Sequence, residues 1–234
     1  MRWPFTRYGT GTLLLVSGVL LLAALALSRL PGAWWVAPLP LLAFILNFFR
    51  DPERRAPGGE DELVAPADGL VSDILQVDDP DLGERCTRIG IFLSVFDVHV
   101  NRTSCAGEIV AVSHREGQCL DARHPKATEL NRAATIVLRR PDGRRLALRQ
   151  ITGKIARRIV CPVVIGQFLG RGQRYGMIRF GSRTELIVPQ DELSRVLVAA
   201  GQKVKGGQTI LAELRPARGA PPAEPGRAVA SGRM

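Results

Sequence analysis

The sequence is short of the residues that most often carry chemistry or cross-links. Three histidines occur in 234 residues, His99, His114 and His124, and their spacing provides no H-x-x-x-H pair or other metal-ligand cluster, so no metal is expected. The four cysteines (Cys86, Cys105, Cys119 and Cys161) are far apart and form no C-x-x-C. That argues against a zinc ribbon or a disulfide framework, fits a reducing compartment, and leaves the thiols as small apolar packing groups. Aromatics are few, with eight Phe, three Trp and two Tyr, and they are not interleaved with basic residues in the manner of an RNA-reading surface. Neither G-x-x-x-x-G-K-[ST] nor G-x-G-x-x-G is present, which argues against a nucleotide enzyme. Acidic residues are outnumbered, 22 against 32 Lys and Arg, and the net charge of +10 calls for a polyanionic partner. An anionic membrane surface fits better than nucleic acid.

Apolar residues are concentrated in the first fifty positions. Tyr8 to Ser28 holds no charge and is long enough to span a bilayer as a helix of about 20 residues. After Arg29 and Pro31-Gly32, a second uncharged run extends from Ala33 to Phe49, opened by Trp34 and Trp35, which suit the headgroup level. Pro38 and Pro40 leave open whether that run crosses or re-enters. A second apolar run following at once, with no small-residue cleavage site, disfavours a signal peptide. The short connection implies a transmembrane helical hairpin, with residues 1–55 forming the hairpin and its basic exit. Arg2 and Arg7 precede it, Arg50, Arg54 and Arg55 follow it, and only Arg29 lies between, so both ends and the following domain are expected in the cytoplasm at the cell membrane.

Residues 56–62 read as a Pro/Gly/acidic linker, 63–214 as a β-rich domain, and 215–234 as a disordered Pro/Ala/Gly/Arg tail. Strands are expected around Leu63–Val71, Thr87–Val100, Glu108–His114, Thr135–Leu138 and Arg145–Leu148, the last two flanking the hairpin turn Pro141-Asp142-Gly143. Ile159–Val164 fits a strand or a short helix, and Asp121–Ala134 is helical or irregular. Gly201 to Ala212 resembles one half-motif of lipoyl and biotinyl carrier domains, and Ala65 to Val71 the complementary half. The expected fold is therefore mainly β, a flattened β-sandwich with a carrier-like core closed by the two ends of the soluble domain. No lysine occupies the carrier's Met-Lys turn, so no lipoyl group is inferred.

The segment Met177-Ile178-Arg179-Phe180-Gly181-Ser182-Arg183-Thr184-Glu185-Leu186 places a Gly-Ser pair inside a strand-like run. Glycine weakens a strand unless a bend or close approach requires it, and it leaves the Gly181 carbonyl open to attack by the Ser182 hydroxyl. A bulge with a satisfied hydroxyl is the plainer reading of such a pair. Thr184 stands where the second glycine of a G-x-S-x-G elbow would be, which excludes that context. Asp97 and His99 are two apart in a strand-like run and would share a face, with Asn101 continuing it; the alternative is a solvated Asp beside a half-buried His. His114 and His124 read as surface residues. Gly166–Gly176 fits a flexible turn, or with Arg171 and Arg174 a phosphate contact.

Six stretches in order give the chain a resemblance to the phosphatidylserine decarboxylase family, in its shorter membrane-anchored bacterial form. They are Phe49-Arg50-Asp51-Pro52-Glu53-Arg54, Ala65-Pro66-Ala67-Asp68-Gly69, Phe96-Asp97-Val98-His99-Val100-Asn101-Arg102, Arg149-Gln150-Ile151-Thr152-Gly153, Ile155-Ala156-Arg157-Arg158-Ile159 and Arg171 to Arg183. The resemblance implies a proenzyme that cuts itself between Gly181 and Ser182 and turns Ser182 into a pyruvoyl group, the covalent cofactor used in place of pyridoxal phosphate. His99 would be the base, oriented by Asp97, and phosphatidylserine the substrate, converted to phosphatidylethanolamine and CO2. The β chain (to 181) and the α chain (from 182) would stay associated, and a homo-oligomer is compatible with the sequence. Charge alone offers Arg157, Arg158 and Arg174 for the lipid phosphate. His124 stands near where the short form has an apolar residue, and it is given no role. The rival readings are a pyruvoyl decarboxylase of a related lipid or free amino acid, and a non-catalytic membrane-tethered β-sandwich that only binds.

Overall fold

The computed structural model describes residues 4–124, 126–154, 158–179 and 182–216. A 3-10 turn, Arg7–Gly9, leads into helix α1 (Thr10–Leu27), and a second turn, Trp34–Val36, leads into α2 (Leu39–Phe48). The segment Arg7–Leu27 is long and apolar enough to cross a membrane. Helix α2 has 10 residues, about 15 Å at 1.5 Å per residue, roughly half of a hydrocarbon core. Its length follows from Pro38 and Pro40, which lack N–H donors and suit only a helix start. Of the two courses open to the second run, the helix alone is too short to cross, and the two helices lie against each other as a hairpin.

The rest is mainly β. The strands are β1 (Glu62–Val64), β2 (Gly69–Asp79), β3 (Glu84–Leu93), β4 (Val100–Arg102), β5 (Gly107–Arg115), β6 (Ala133–Arg139) and β7 (Arg145–Ile151), then β8 (Ile159–Val160), β9 (Phe168–Leu169), β10 (Arg174–Ile178), β11 (Ser182–Pro189), β12 (Leu193–Val196), β13 (Lys203–Val204) and β14 (Ile210–Leu214). One helical turn, α3 (Ala127–Leu130), lies in the segment expected to be helical or irregular. An eight-stranded antiparallel sheet runs in the order β13-β2-β3-β11-β7-β6-β5-β9, and two three-stranded sheets, β1-β14-β12 and β4-β10-β8, complete the domain. The carrier-like halves do meet: the Ala65 amide donates to the Thr209 carbonyl, and Val204 pairs with Gly69. Residues from 217 onward, most of the tail expected at 215–234, lie outside the described residues; Arg215 itself donates to the Glu192 carbonyl.

The core fills from alternate positions of neighbouring strands, as a period of two requires. Ile89, Ile91 and Leu93 of β3 meet Leu186 and Val188 of β11, Leu146 and Leu148 of β7, and Ile136 and Leu138 of β6. Cys105 is buried in this core, and burial pushes its thiol up to about 12. None of the four cysteines is in a disulfide. The odd positions of β11 face the other way, where Arg183 donates to Glu185 at 2.7 Å and pairs with Asp73.

The hairpin is fastened to the domain at its base. Phe5 bridges Arg50, the Thr6 amide donates to the Phe49 carbonyl, and the Asp51 amide donates to the Pro4 carbonyl. Leu13, Ile45, Phe48 and Phe49 pack with Met177 of β10 in a separate apolar cluster. Just beyond, Asp51 accepts from Arg102 at 3.1 Å and from Arg174 at 2.8 Å. Arg102 is 2 % exposed, and burial together with the neighbouring Arg174 charge lowers it to about 10, so the Asp51 carboxylate is what keeps two cations tolerable there.

Candidate active site

Ser182 is the first residue of β11, opposite Leu93 at the end of β3, and even-numbered positions of this strand point into the core. Two residues on, Thr184 accepts a hydrogen bond from the Asn101 amide at 3.0 Å, and Asn101 in turn accepts from Gln150 at 2.7 Å. Four residues before Ser182, the Ile178 amide donates to the His99 carbonyl. His99 and Asn101 are thus tied to the segments on either side of Ser182, which draws the imidazole and the hydroxyl to one end of the sheet. Gly176 permits this packing, because a Cβ there would lie 2.3 Å from the Val160 carbonyl oxygen and 3.0 Å from the Gln150 amide. Gly69 works alike at β2, where a Cβ would fall 2.1 Å from the Phe92 oxygen and φ is +149°.

Both candidate reacting groups are buried. His99 and Ser182 are 0 % exposed, and among the described residues neither His99 Nε2 nor Ser182 Oγ has a hydrogen-bond partner. A buried polar atom without a partner is costly, and in a chemically competent side chain it marks a candidate reacting group. His99 Nδ1 lies 2.9 Å from the Asp97 carbonyl oxygen. A carbonyl can only accept, so Nδ1 carries the hydrogen and Nε2 of the neutral ring keeps a free lone pair. Burial lowers His99 to about 4, against the opposing pull of the Asp97 carbonyl and charge. The ring is therefore neutral at pH 7, as a proton acceptor must be.

The expected Asp97–His99 face does not form. Residues 94–99 make a turn between β3 and β4 instead of continuing the strand. The Asp97 carboxylate accepts from the Ser94 amide at 2.8 Å and closes that turn, while its main-chain oxygen orients the imidazole. A turn-forming Ser-x-x-Asp outranks the β-rich composition around it. A residue the sequence reading passed over is Asp68, whose negative charge also favours the protonated form of His99. Asp68 is held by Arg54 and by the Gly206 amide at 2.8 Å. Its signal was an Asp in a Pro-Ala-Asp-Gly turn, which spacing alone reads as turn chemistry.

The arginines expected at a phosphate separate into different roles. Arg174 is committed to Asp51 and to Glu53 at 3.2 Å, a structural correction to its expected place. Arg158 is exposed and lies beside Arg179, whose amide donates to the Arg158 carbonyl. Arg157 and Gly181 lie outside the described residues. His114 and His124 are exposed, as expected.

The N-terminal helical hairpin supplies one wall of the site. The Phe48 ring lies 4.3 Å from the His99 ring, centroid to centroid, and Phe44 meets Phe96 edge-on at 6.1 Å. Phe96 is 67 % exposed at the tip of the turn, and Arg50 donates to its carbonyl at 2.7 Å.

Comparison with known proteins identifies the family. The family model for phosphatidylserine decarboxylase matches residues 41–212. A phosphatidylserine decarboxylase proenzyme of Rhodopirellula baltica is 41 % identical, covering 89 % of this chain and 88 % of its own. Its counterpart in Trichlorobacter lovleyi is 43 % identical over 91 % of this chain and 94 % of its own, and that of Geobacter sulfurreducens 42 % over 84 % and 90 %. The chain belongs to the phosphatidylserine decarboxylase family.

Proposed function

We propose that this member of the family matures by cutting itself ahead of Ser182 and then converts phosphatidylserine to phosphatidylethanolamine and CO2 at a membrane surface. The observation that carries the reading is that a neutral His99 Nε2 and the Ser182 hydroxyl are both buried without a partner among the described residues, on segments tied together by Asn101–Thr184 and by the Ile178 amide to the His99 carbonyl. In the first step Ser182 Oγ adds to the Gly181 carbonyl carbon while its proton passes to Nε2. The Gly181–Ser182 C–N bond breaks, the nitrogen takes that proton, and an ester joins the two parts. Loss of the Ser182 α-proton expels the Gly181 carboxylate by breaking Cβ–Oγ. The resulting dehydroalanine tautomerises, and water replaces its nitrogen, releasing ammonia and leaving a ketone on the new N-terminus.

The orphaned Ser182 position suits such a group, because Oγ has no other function in the fold. The pyruvoyl carbonyl supplies an electron sink, able to condense with the substrate amine and accept the electrons released as CO2 departs. His99 then holds the proton to be returned to the product carbon, and Phe48 keeps water from the ring. Exposed Arg158, with Arg157 next to it in the chain, meets the lipid phosphate. Arg174 is left out of that role because two carboxylates already occupy it. The bias of arginine toward both ends of the hairpin supports a domain on the cytoplasmic face, with Phe96 and Arg50 at the headgroup level.

The test is mass spectrometry of the purified protein under denaturing conditions. The expected result is a fragment ending at Gly181 and a second whose first residue is pyruvoyl, with CO2 released from phosphatidylserine vesicles. A single 25.5 kDa chain, or a fragment beginning with an ordinary serine, would overturn the reading.

A further inference from the structure

The connection between β10 and β11 carries an arginine that the chemistry above does not use. Arg179 reaches away from the sheet into the start of the membrane helix. Its Nη1 donates to the Thr12 hydroxyl at 2.9 Å, and its Nη2 donates to the Tyr8 carbonyl at 3.0 Å. Its own amide is held by the Arg158 carbonyl, and Met177, two residues earlier, is buried in the hairpin's apolar cluster. The strand leading to the scissile bond is therefore fixed to α1 on one side, while Thr184 fixes the other side through Asn101.

The placement is not what helix stability alone would select. A cation at a helix N-terminus opposes the helix dipole and belongs more naturally at the other end. Burial and the neighbouring Arg158 charge also disfavour the charged form of Arg179. The planar guanidinium fork matches two acceptors at once, the Tyr8 carbonyl in the 3-10 turn and the Thr12 hydroxyl in the first turn of α1.

The partner of this contact depends on the bilayer. Leu14, Leu15, Val19, Leu22 and Leu25 of α1 are each more than half exposed, so beyond Leu13, which packs on the domain at the hairpin's base, the helix presents an apolar face that only lipid would cover. In lipid that face is solvated and the helix backbone must be hydrogen-bonded internally, which favours α1 in its full length. Thr12 and the Tyr8 carbonyl take up their positions once α1 is inserted.

We propose that Arg179 is a positioning residue for self-cleavage, holding the segment before Ser182 against the first turn of α1, so that maturation follows membrane insertion. The proposal rests on the self-cleavage reading above. It makes the anchor part of the maturation apparatus, and it confines the mature enzyme to the surface where its substrate resides.

The test follows precursor conversion on a gel after cell-free synthesis of the full chain into phosphatidylcholine–phosphatidylglycerol vesicles. Arg179→Ala is expected to slow cleavage roughly ten- to a hundredfold, the scale of a misplaced reacting group. Thr12→Val, which keeps the side-chain shape, is expected to slow it by about threefold. The double variant should be no slower than Arg179→Ala alone, since the Thr12 contact is then already lost. Without vesicles the wild-type chain should stay uncut. Wild-type rates in both single variants, slowing that multiplies in the double variant, or equal wild-type rates with and without vesicles would each overturn the proposal. A wild-type chain never cut in vesicles would instead defeat the self-cleavage reading itself.

Discussion

Phe48, at the end of α2, lies against His99 with the ring planes tilted by 40° and the centroids 4.3 Å apart. A residue of the anchor thus forms part of the low-dielectric wall that keeps the imidazole neutral, so the acid–base behaviour of the site depends on the hairpin.

The first expectation concerns that wall. Phe48→Leu keeps an apolar side chain but opens the ring face of His99 to water. The pH at which the rate of precursor cleavage is half-maximal should rise from near 4 toward the ordinary histidine value of 6.5. An unchanged profile would show that Phe48 has no part in setting the base.

The wild-type profile follows from the same burial. Nε2 must be unprotonated to accept the Ser182 proton, so the cleavage rate should be flat from pH 8 to about 5.5 and fall as pH drops through about 4. Stability shifts in the same sense. The unfolded ring takes a proton near 6.5 and the folded ring only near 4, so between these values the unfolded state binds more protons. The contribution of neutral His99 is complete above pH 6.5 and is lost as pH falls toward 4. Time courses of a purified precursor across that range check it, and an inflection near 6.5 would contradict a desolvated base.

Asp97 gives a sharper test of geometry. Its main-chain oxygen, not its carboxylate, touches His99, and the carboxylate caps Ser94. Asp97→Asn retains an acceptor for that amide and should keep cleavage within about fivefold of wild type. Loss of the nearby charge should also move the acid inflection lower. A collapse of cleavage in Asp97→Asn would restore a direct carboxylate–imidazole dyad. His99→Gln, by contrast, should leave the precursor uncut.

Asp51 answers to stability. Asp51→Ala leaves Arg102 and Arg174 facing each other without their shared counter-charge at a buried position. Breaking such a pair costs about 3 kcal/mol or more. Chemical denaturation of the protein in nanodiscs should show that loss, and an effect within experimental error would mean the guanidiniums find other acceptors.

Much of this was readable from local patterns. Pro141-Asp142-Gly143 forms the β6–β7 hairpin as its composition requires, with Gly143 at φ +86°. Ala65–Val71 and Gly201–Ala212 pair across the domain because each half exposes an apolar edge the other covers. What failed were cases where one side-chain contact overrides composition, whether local or distant. Asp97 is pulled into a turn by the Ser94 amide, and Arg174 is claimed by Asp51, 123 positions earlier in the chain. The role of Arg179 lay beyond any window of neighbours, because its acceptors are Tyr8 and Thr12.

The placement of β11 has a consequence for the lifetime of the enzyme. Cut ahead of Ser182, the shorter piece would still lie between β3 and β7, with β14 beside β1 and β13 beside β2. A nick there would break none of these ladders, so the two pieces would be expected to stay together. Unfolding, however, would set them adrift, and recovery would require two chains to find each other and interleave their strands. Such a molecule persists through a slow unfolding rate, not through a reversible balance. Each copy folds once, is spent when it opens, and can be replaced only by new synthesis.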